Sequence, residues 1–225
     1  MGNDNEGGAY GPLLLVHGAW HSAWCWSRIL DQINPRCERV LALELPFDSI
    51  ESDTAAVRDA LIELGPNTVI CAHSYGGRLA SIVADEVPAA HLLYIAAPTP
   101  NLEQLGAYAT ADRLRGGEVP DFKTAWGTFY NRSDEATARV AWEHLRPMRT
   151  APGTTVGLDH RPWEHIPSTY VVCLEDNALR PEVQRSMAAN MTDFVTIDSD
   201  HSPFLTAPNE LASIVNGVLA RSSGV

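Results

Sequence analysis

Three residues of catalytic type each close an apolar, β-rich run. Residues 70–77 read Ile-Cys-Ala-His-Ser-Tyr-Gly-Gly, residues 169–176 Thr-Tyr-Val-Val-Cys-Leu-Glu-Asp, and residues 194–201 Phe-Val-Thr-Ile-Asp-Ser-Asp-His. A serine hydroxyl attacks poorly at neutral pH unless a base removes its proton and a third group orients that base. Ser74 among small neighbours, with Gly76 and Gly77 as permissive backbone, reads as a nucleophile on a tight strand-to-helix turn. Ala72 stands where the usual pattern has glycine and adds only a methyl. His201 is the candidate base. Asp176 is the candidate orienting acid, because alternation turns Glu175 to the other side and Asp198 and Asp200 fall in the turn leading to the histidine. If the strands are parallel, all three residues share one sheet edge.

A fourth part completes the chemistry. Leu13–Val16 reads as a buried strand, and His17-Gly18-Ala19-Trp20 follows it. The backbone N–H groups of Ala19 and Tyr75 are candidate oxyanion donors, a role in which each donor is worth roughly 2.7–4 kcal/mol of transition-state energy. His17 and His73 are read as fixing loops through backbone hydrogen bonds, and His21 as a pocket residue. Asp159, His160, Glu164 and His165 are read as a polar loop, since nothing nearby completes a metal-ligand pattern.

The elements that must carry these residues alternate. Strands are expected at 13–17, 39–45, 67–73 and 90–97, and helices near 24–33, 54–64 and 75–86. Leu79, Ile82, Val83 and Val87 form a stripe at helical spacing, as do Leu211, Ile214, Val215, Val218 and Leu219 in a helix begun near Pro208. Such alternation predicts a mostly parallel sheet of about six strands with helices on both faces. Residues 98–166 break it and read as a small helical cap, with helices at 121–130 and 133–145. The chain is expected to be a flexible N-terminus (1–11) and a single domain (12–225) carrying that insertion. Candidate substrate contacts are Gly18 and Trp20, the cap residues Trp126, Phe129 and Tyr130, and Phe204. Trp24, Trp26, Trp142 and Leu145 divide evenly between pocket and packing.

His-Gly-Ala-Trp-His-Ser-Ala-Trp-Cys-Trp at 17–26, Ala-His-Ser-Tyr-Gly-Gly at 72–77, Leu-Glu-Asp at 174–176 and Asp-His-Ser-Pro-Phe at 200–204 resemble the α/β-hydrolase superfamily. The chain most resembles the branch that holds plant methyl esterases, hydroxynitrile lyases and their many bacterial relatives. The resemblance spans about 12–220 and is weakest at 100–160. A small apolar cap favours a small to medium carboxylic ester as substrate, and the serine, histidine and acid together imply an acyl-enzyme on Ser74 with no cofactor. The lyases of this branch carry threonine at the place of Gly18, glutamate at that of His73 and lysine at that of Ser202, so this chain resembles the esterase side. After Leu45, Pro-Phe-Asp-Ser replaces the relatives' Pro-Gly-His-Gly, and contacts from that loop do not carry over. A cofactor-free lyase or carbon–carbon hydrolase, and a ligand receptor that keeps the triad, are the competing readings.

Composition sets outer limits. The chain has 225 residues, 45% hydrophobic and 20% charged, with a net charge of −12, ordinary for a globule and repulsive to nucleic acid and anionic membranes. Cys25, Cys37, Cys71 and Cys173 show no paired spacing. No leader-like or membrane-length apolar run is seen, so the expected place is the cytoplasm, as monomer or homodimer. A secreted protein relieved of its leader would read the same.

Overall fold

A computed structural model describes residues 9–37, 39–99, 117–149 and 160–223. Six strands form one sheet: β1 (Leu13–Val16), β2 (Val40–Leu43), β3 (Val69–His73), β4 (His91–Ile95), β5 (Ser168–Cys173) and β6 (Asp193–Ile197). Their order is β2-β1-β3-β4-β5-β6. Every neighbouring pair is parallel. The four inner strands are buried at every residue, which is why their sequences are continuous apolar runs rather than alternating ones. The edge strands β2 and β6 carry the more exposed residues.

Helices cover the sheet: α1 (Ser27–Leu30), α2 (Ile50–Leu64), α3 (Tyr75–Ala84), α4 (Phe122–Phe129), α5 (Glu135–Glu143), α6 (Pro181–Ala188), α7 (Pro203–Thr206) and α8 (Pro208–Ser222). α2 packs on α3, α8 touches both α1 and α7, and α6 lies along β5. The expected helix over 24–33 is instead a 3-10 turn, Ala23–Trp26, followed by the single turn α1. Helix α2 begins four residues earlier than its expected start at 54. Ser49 and Ser52 cap each other there, side chain to backbone at 3.1 and 3.0 Å. Glu51 and Asp53 add acids to the positive helix start.

Of the expected cap, residues 100–116 and 150–159 lie outside the described residues, Asp159 among them. Within the described part, α4 and α5 each start on an aspartate that accepts a backbone N–H, Asp121 from Thr124 and Asp134 from Thr137. The segment after α5 is tied to the core. Arg146 N–H donates to Trp20 C=O at 2.7 Å, and Arg149 N–H to Phe47 C=O at 2.8 Å. The Arg146 guanidinium pairs with Glu44, and Trp24 stacks on His144 with ring centres 4.0 Å apart. The four cysteines are free and buried. No helix among the described residues is long and apolar enough to cross a membrane.

Candidate active site

Parallel pairing brings the C-terminal ends of β1, β3, β5 and β6 to one edge of the sheet, and each is followed by a residue singled out above. Between β3 and α3, Ser74 holds φ 49° and ψ −123°, a conformation that costs an L-residue about 1–3 kcal/mol. Hydrogen bonds on both sides hold it there. Ser74 N–H donates to Ile95 C=O at 3.0 Å, and Gly77 N–H to Ser74 C=O at 2.9 Å. Gly76 and Gly77 serve differently from the expected backbone freedom, because neither has positive φ. A Cβ on Gly76 would sit 2.6 Å from His17 C=O, and one on Gly77 2.4 Å from Ala97 Cβ. Close approach, not conformation, demands glycine at both.

Ser74 Oγ lies 3.1 Å from His201 Nε2, and His201 Nδ1 lies 2.7 Å from Asp176 Oδ2. Both partners are 3% exposed. Asp176 is fixed by more than the histidine. Its Oδ1 accepts the N–H groups of Ala178 and Leu179 at 2.7 and 2.8 Å, and its Oδ2 accepts Gln184 Nε2–H at 2.8 Å. Gln184 reaches inward from α6, fully buried. Sequence reading missed it, and its only local signal is a polar residue on the buried face of an amphipathic helix. Asp200, the neighbour of His201, lies outside this line of hydrogen bonds. Its carboxylate accepts from Ser202 N–H and from Arg132 N–H of the cap, both at 2.9 Å, and burial raises its pKa.

Three more histidines surround the serine. His73 is fully buried, and its Nε2–H donates to His201 C=O at 2.8 Å. His17 donates Nδ1–H to Gly18 C=O at 3.0 Å and accepts Leu45 N–H on Nε2 at 3.1 Å. His21 stands 2.8 Å from Ala19 C=O and 3.1 Å from Tyr130 Oη. Burial lowers all three: His17 to about 4, His21 to about 3, and His73 well below the usual value. They are neutral partners of backbone groups.

The loop after β1 turns through Trp20, whose φ is +58°. Trp20 N–H goes to Met148 Sδ at 3.3 Å and His21 N–H to Gly18 C=O at 3.3 Å. Gly18 abuts the elbow, since a Cβ there would lie 2.7 Å from His73 Nδ1 and 2.9 Å from Ser74 Cβ. The N–H of Tyr75 opens α3, where first-turn amides have no intrahelical acceptor. Its hydroxyl donates to Asp53, 2.8 Å away.

Among the candidate substrate contacts, Phe129 lies 5.8 Å from the His201 ring and 5.9 Å from Trp20, centre to centre. Tyr130 reaches His21. Phe204 is fully buried against His73, His21 and Trp26, supporting the histidines from beneath. Trp126 has other partners: its ring stacks on Phe122 at 5.6 Å and its indole N–H donates to Ser133 C=O. These contacts place it in the cap's own packing. Trp142 likewise donates to Pro120 C=O and meets Phe122. His160 and His165 face Asp85 at 2.9 and 3.8 Å. Among the described residues no group of three or more histidines, cysteines and acids is arranged for a metal.

A sequence profile of the alpha/beta hydrolase family matches residues 13–214. The chain belongs to that family. This hydrolase is 26% identical to Methylesterase 7 of Arabidopsis thaliana, over 90% of its own length and 94% of the relative's. Its fold matches that of a pyrethroid hydrolase from Sphingobium faniae, with a TM-score of 0.75 and 21% identity over 94% and 97% of the two chains. It also matches tomato Methylketone Synthase I in complex with 2-tridecanone, with a TM-score of 0.80 and 17% identity over 95% and 99%.

Proposed function

We propose that this hydrolase is a serine esterase that cleaves a small to medium carboxylic ester through an acyl-enzyme. The observation that carries the reading is the unbroken line from Asp176 Oδ2 through His201 to Ser74 Oγ, 2.7 and 3.1 Å, ending on a strained serine. Asp176 accepts Nδ1–H of His201, which leaves the Nε2 lone pair facing the serine hydroxyl. His201 then takes the Ser74 proton as Oγ attacks the ester carbonyl, and the imidazolium is stabilised by the buried carboxylate. The tetrahedral oxyanion is received by the N–H groups of Ala19 and Tyr75. Protonated His201 hands its proton to the leaving alkoxide, and water repeats the cycle on the acyl-enzyme.

An ester of modest size is supported by the aromatic surroundings of His201, Phe129 and Trp20 among them, and by relatives named methylesterase. Gly18, His73 and Ser202 also stand where the lyases of this branch carry other residues.

The test is hydrolysis of p-nitrophenyl esters from acetate to octanoate, wild type against Ser74→Ala. Multiple turnovers that vanish in the variant are expected. No turnover, or one burst that stops, would overturn the reading, and cleavage of a cyanohydrin or β-keto acid in its place would establish the lyase alternative.

A further inference from the structure

The Ala19 turn and the cap are joined by a two-step hydrogen-bond relay that the triad chemistry does not use. Tyr130 closes α4 and is fully buried, and its hydroxyl lies 3.1 Å from His21 Nε2. His21 Nδ1 lies 2.8 Å from Ala19 C=O. The direction of both bonds follows from chemistry. A carbonyl only accepts, so Nδ1 carries the proton of the neutral ring. Nε2 then offers a lone pair, and the Tyr130 hydroxyl donates to it. Burial, which holds His21 down at about 3, excludes the doubly protonated form near neutrality.

The ring has little freedom to do otherwise. Phe129 and Tyr130 of the cap, His73 of β3 and Phe204 of α7 pack around it, with centres 5.6–5.9 Å away. His21 also grips the turn twice. Its backbone N–H donates to Gly18 C=O at 3.3 Å and its side chain to Ala19 C=O at 2.8 Å. Those carbonyls belong to the two peptide planes that meet at Ala19. Peptide units are planar and trans, so each held carbonyl fixes the N–H opposite it. Gly18 C=O, which also accepts His17 Nδ1–H, fixes the Ala19 donor. Ala19 C=O, held by the His21 ring, fixes the next plane, so the ring acts on the Ala19 donor through the Cα the two planes share.

We propose that His21 and Tyr130 are positioning residues for the oxyanion hole, and that they carry the placement of the cap to the Ala19 amide. This rests on the esterase reading above. A relay of this kind acts on the transition state, so its loss lowers kcat and leaves KM in place.

The experiment compares Tyr130→Phe, His21→Asn and His21→Gln with wild type, using a p-nitrophenyl ester and a trifluoromethyl ketone that forms an oxyanion adduct on the serine. Tyr130→Phe and His21→Gln are expected to lose about tenfold in kcat, a fraction of the loss of a whole oxyanion donor, with KM within about twofold. Affinity for the ketone should fall in parallel. His21→Asn keeps an N–H near the Nδ1 position and should retain more kcat than His21→Gln. A rise in KM at constant kcat, or unchanged kcat and ketone affinity in both Tyr130→Phe and His21→Gln, would overturn the proposal. Imidazole nitrogen NMR of the wild type gives an independent reading, with His21 expected protonated at Nδ1; protonation at Nε2 overturns the relay whatever the variants do. Failure of the esterase reading is distinguishable, because it would appear as absent Ser74-dependent turnover in the wild type with the His21 tautomer still as stated.

Discussion

Replacing Gly18 by alanine tests whether the loop after β1 and the turn that carries Ser74 form one rigid unit. The added Cβ would lie 2.7 Å from His73 Nδ1 and 2.9 Å from Ser74 Cβ, where ordinary contact begins at 3.4 Å. Something must retreat by the difference, 0.7 Å against the ring and 0.5 Å against the serine. His73 has no free space, being fully buried and hydrogen-bonded through Nε2 to His201 C=O. A retreat on that side therefore moves His201 or Ser74. Overpacking of this sort costs about 1–3 kcal/mol of stability, and misplacement of reacting groups approaching 1 Å costs on the order of a hundredfold in rate. Gly18→Ala is accordingly expected to fold, with a lower urea midpoint, and to lose about 10- to 100-fold in kcat on a p-nitrophenyl ester. Gly127→Ala is the control, because a Cβ there meets nothing within 4 Å. A Gly18→Ala enzyme within threefold of wild-type kcat would refute the rigid-unit argument.

Two further predictions rest on buried groups. Gln184 accepts Cys173 N–H at 2.9 Å and donates to Asp176 and to Leu179 C=O, so Gln184→Leu strands a buried N–H and a buried carbonyl; the expected loss is about 2–4 kcal/mol in urea unfolding with roughly a tenfold drop in kcat, and a change below about 0.5 kcal/mol would contradict it. His17, His21 and His91 are buried and lowered to about 4, 3 and 4, so the unfolded chain takes up protons first as pH falls. Their contribution to stability is complete above pH 6.5 and is lost from there down toward pH 4, at about 1.4 kcal/mol per pH unit for each histidine. Asp53 and Asp200, whose pKa values burial raises, bind protons earlier in the folded state and offset part of the loss at the acid end. Urea midpoints at pH 7.5 and 5.0 measure the slope, and His91→Gln should reduce it; a flat profile in the wild type would sink the assignment.

What could be read in the sequence was local. The runs ending at Ser74, Asp176 and His201 announce strand, turn and chemistry within eight residues each, and the structure brings those three residues within hydrogen-bonding distance. The start of α2 was missed because its cap uses two serines, where the usual signature has an acid or amide at the third position. Trp126 is expected among the substrate contacts, and its partners Phe122 and Ser133 lie four and seven residues away within the cap. The second layer was illegible for a different reason. Tyr130 and His21 are 109 positions apart, and Arg132 and Asp200 are 68 apart. No periodicity or motif connects such pairs; only the folded chain does.

The crowding at Gly18 also couples two positions of this chain. A Cβ at position 18 and an imidazole at position 73 compete for the same space, 2.7 Å apart. A β-branched residue at 18 is thus incompatible with His73 in its present place, and losing His73 removes the donor that holds His201 C=O. The two positions are one choice rather than two. Of the four histidines around Ser74, three are committed as neutral partners of backbone groups. Only the fourth, His201, has a ring nitrogen hydrogen-bonded to a carboxylate and the other facing a hydroxyl. On the proposed esterase mechanism His201 is thus the one of the four that carries the migrating proton, and the remaining imidazoles hold the backbone around it.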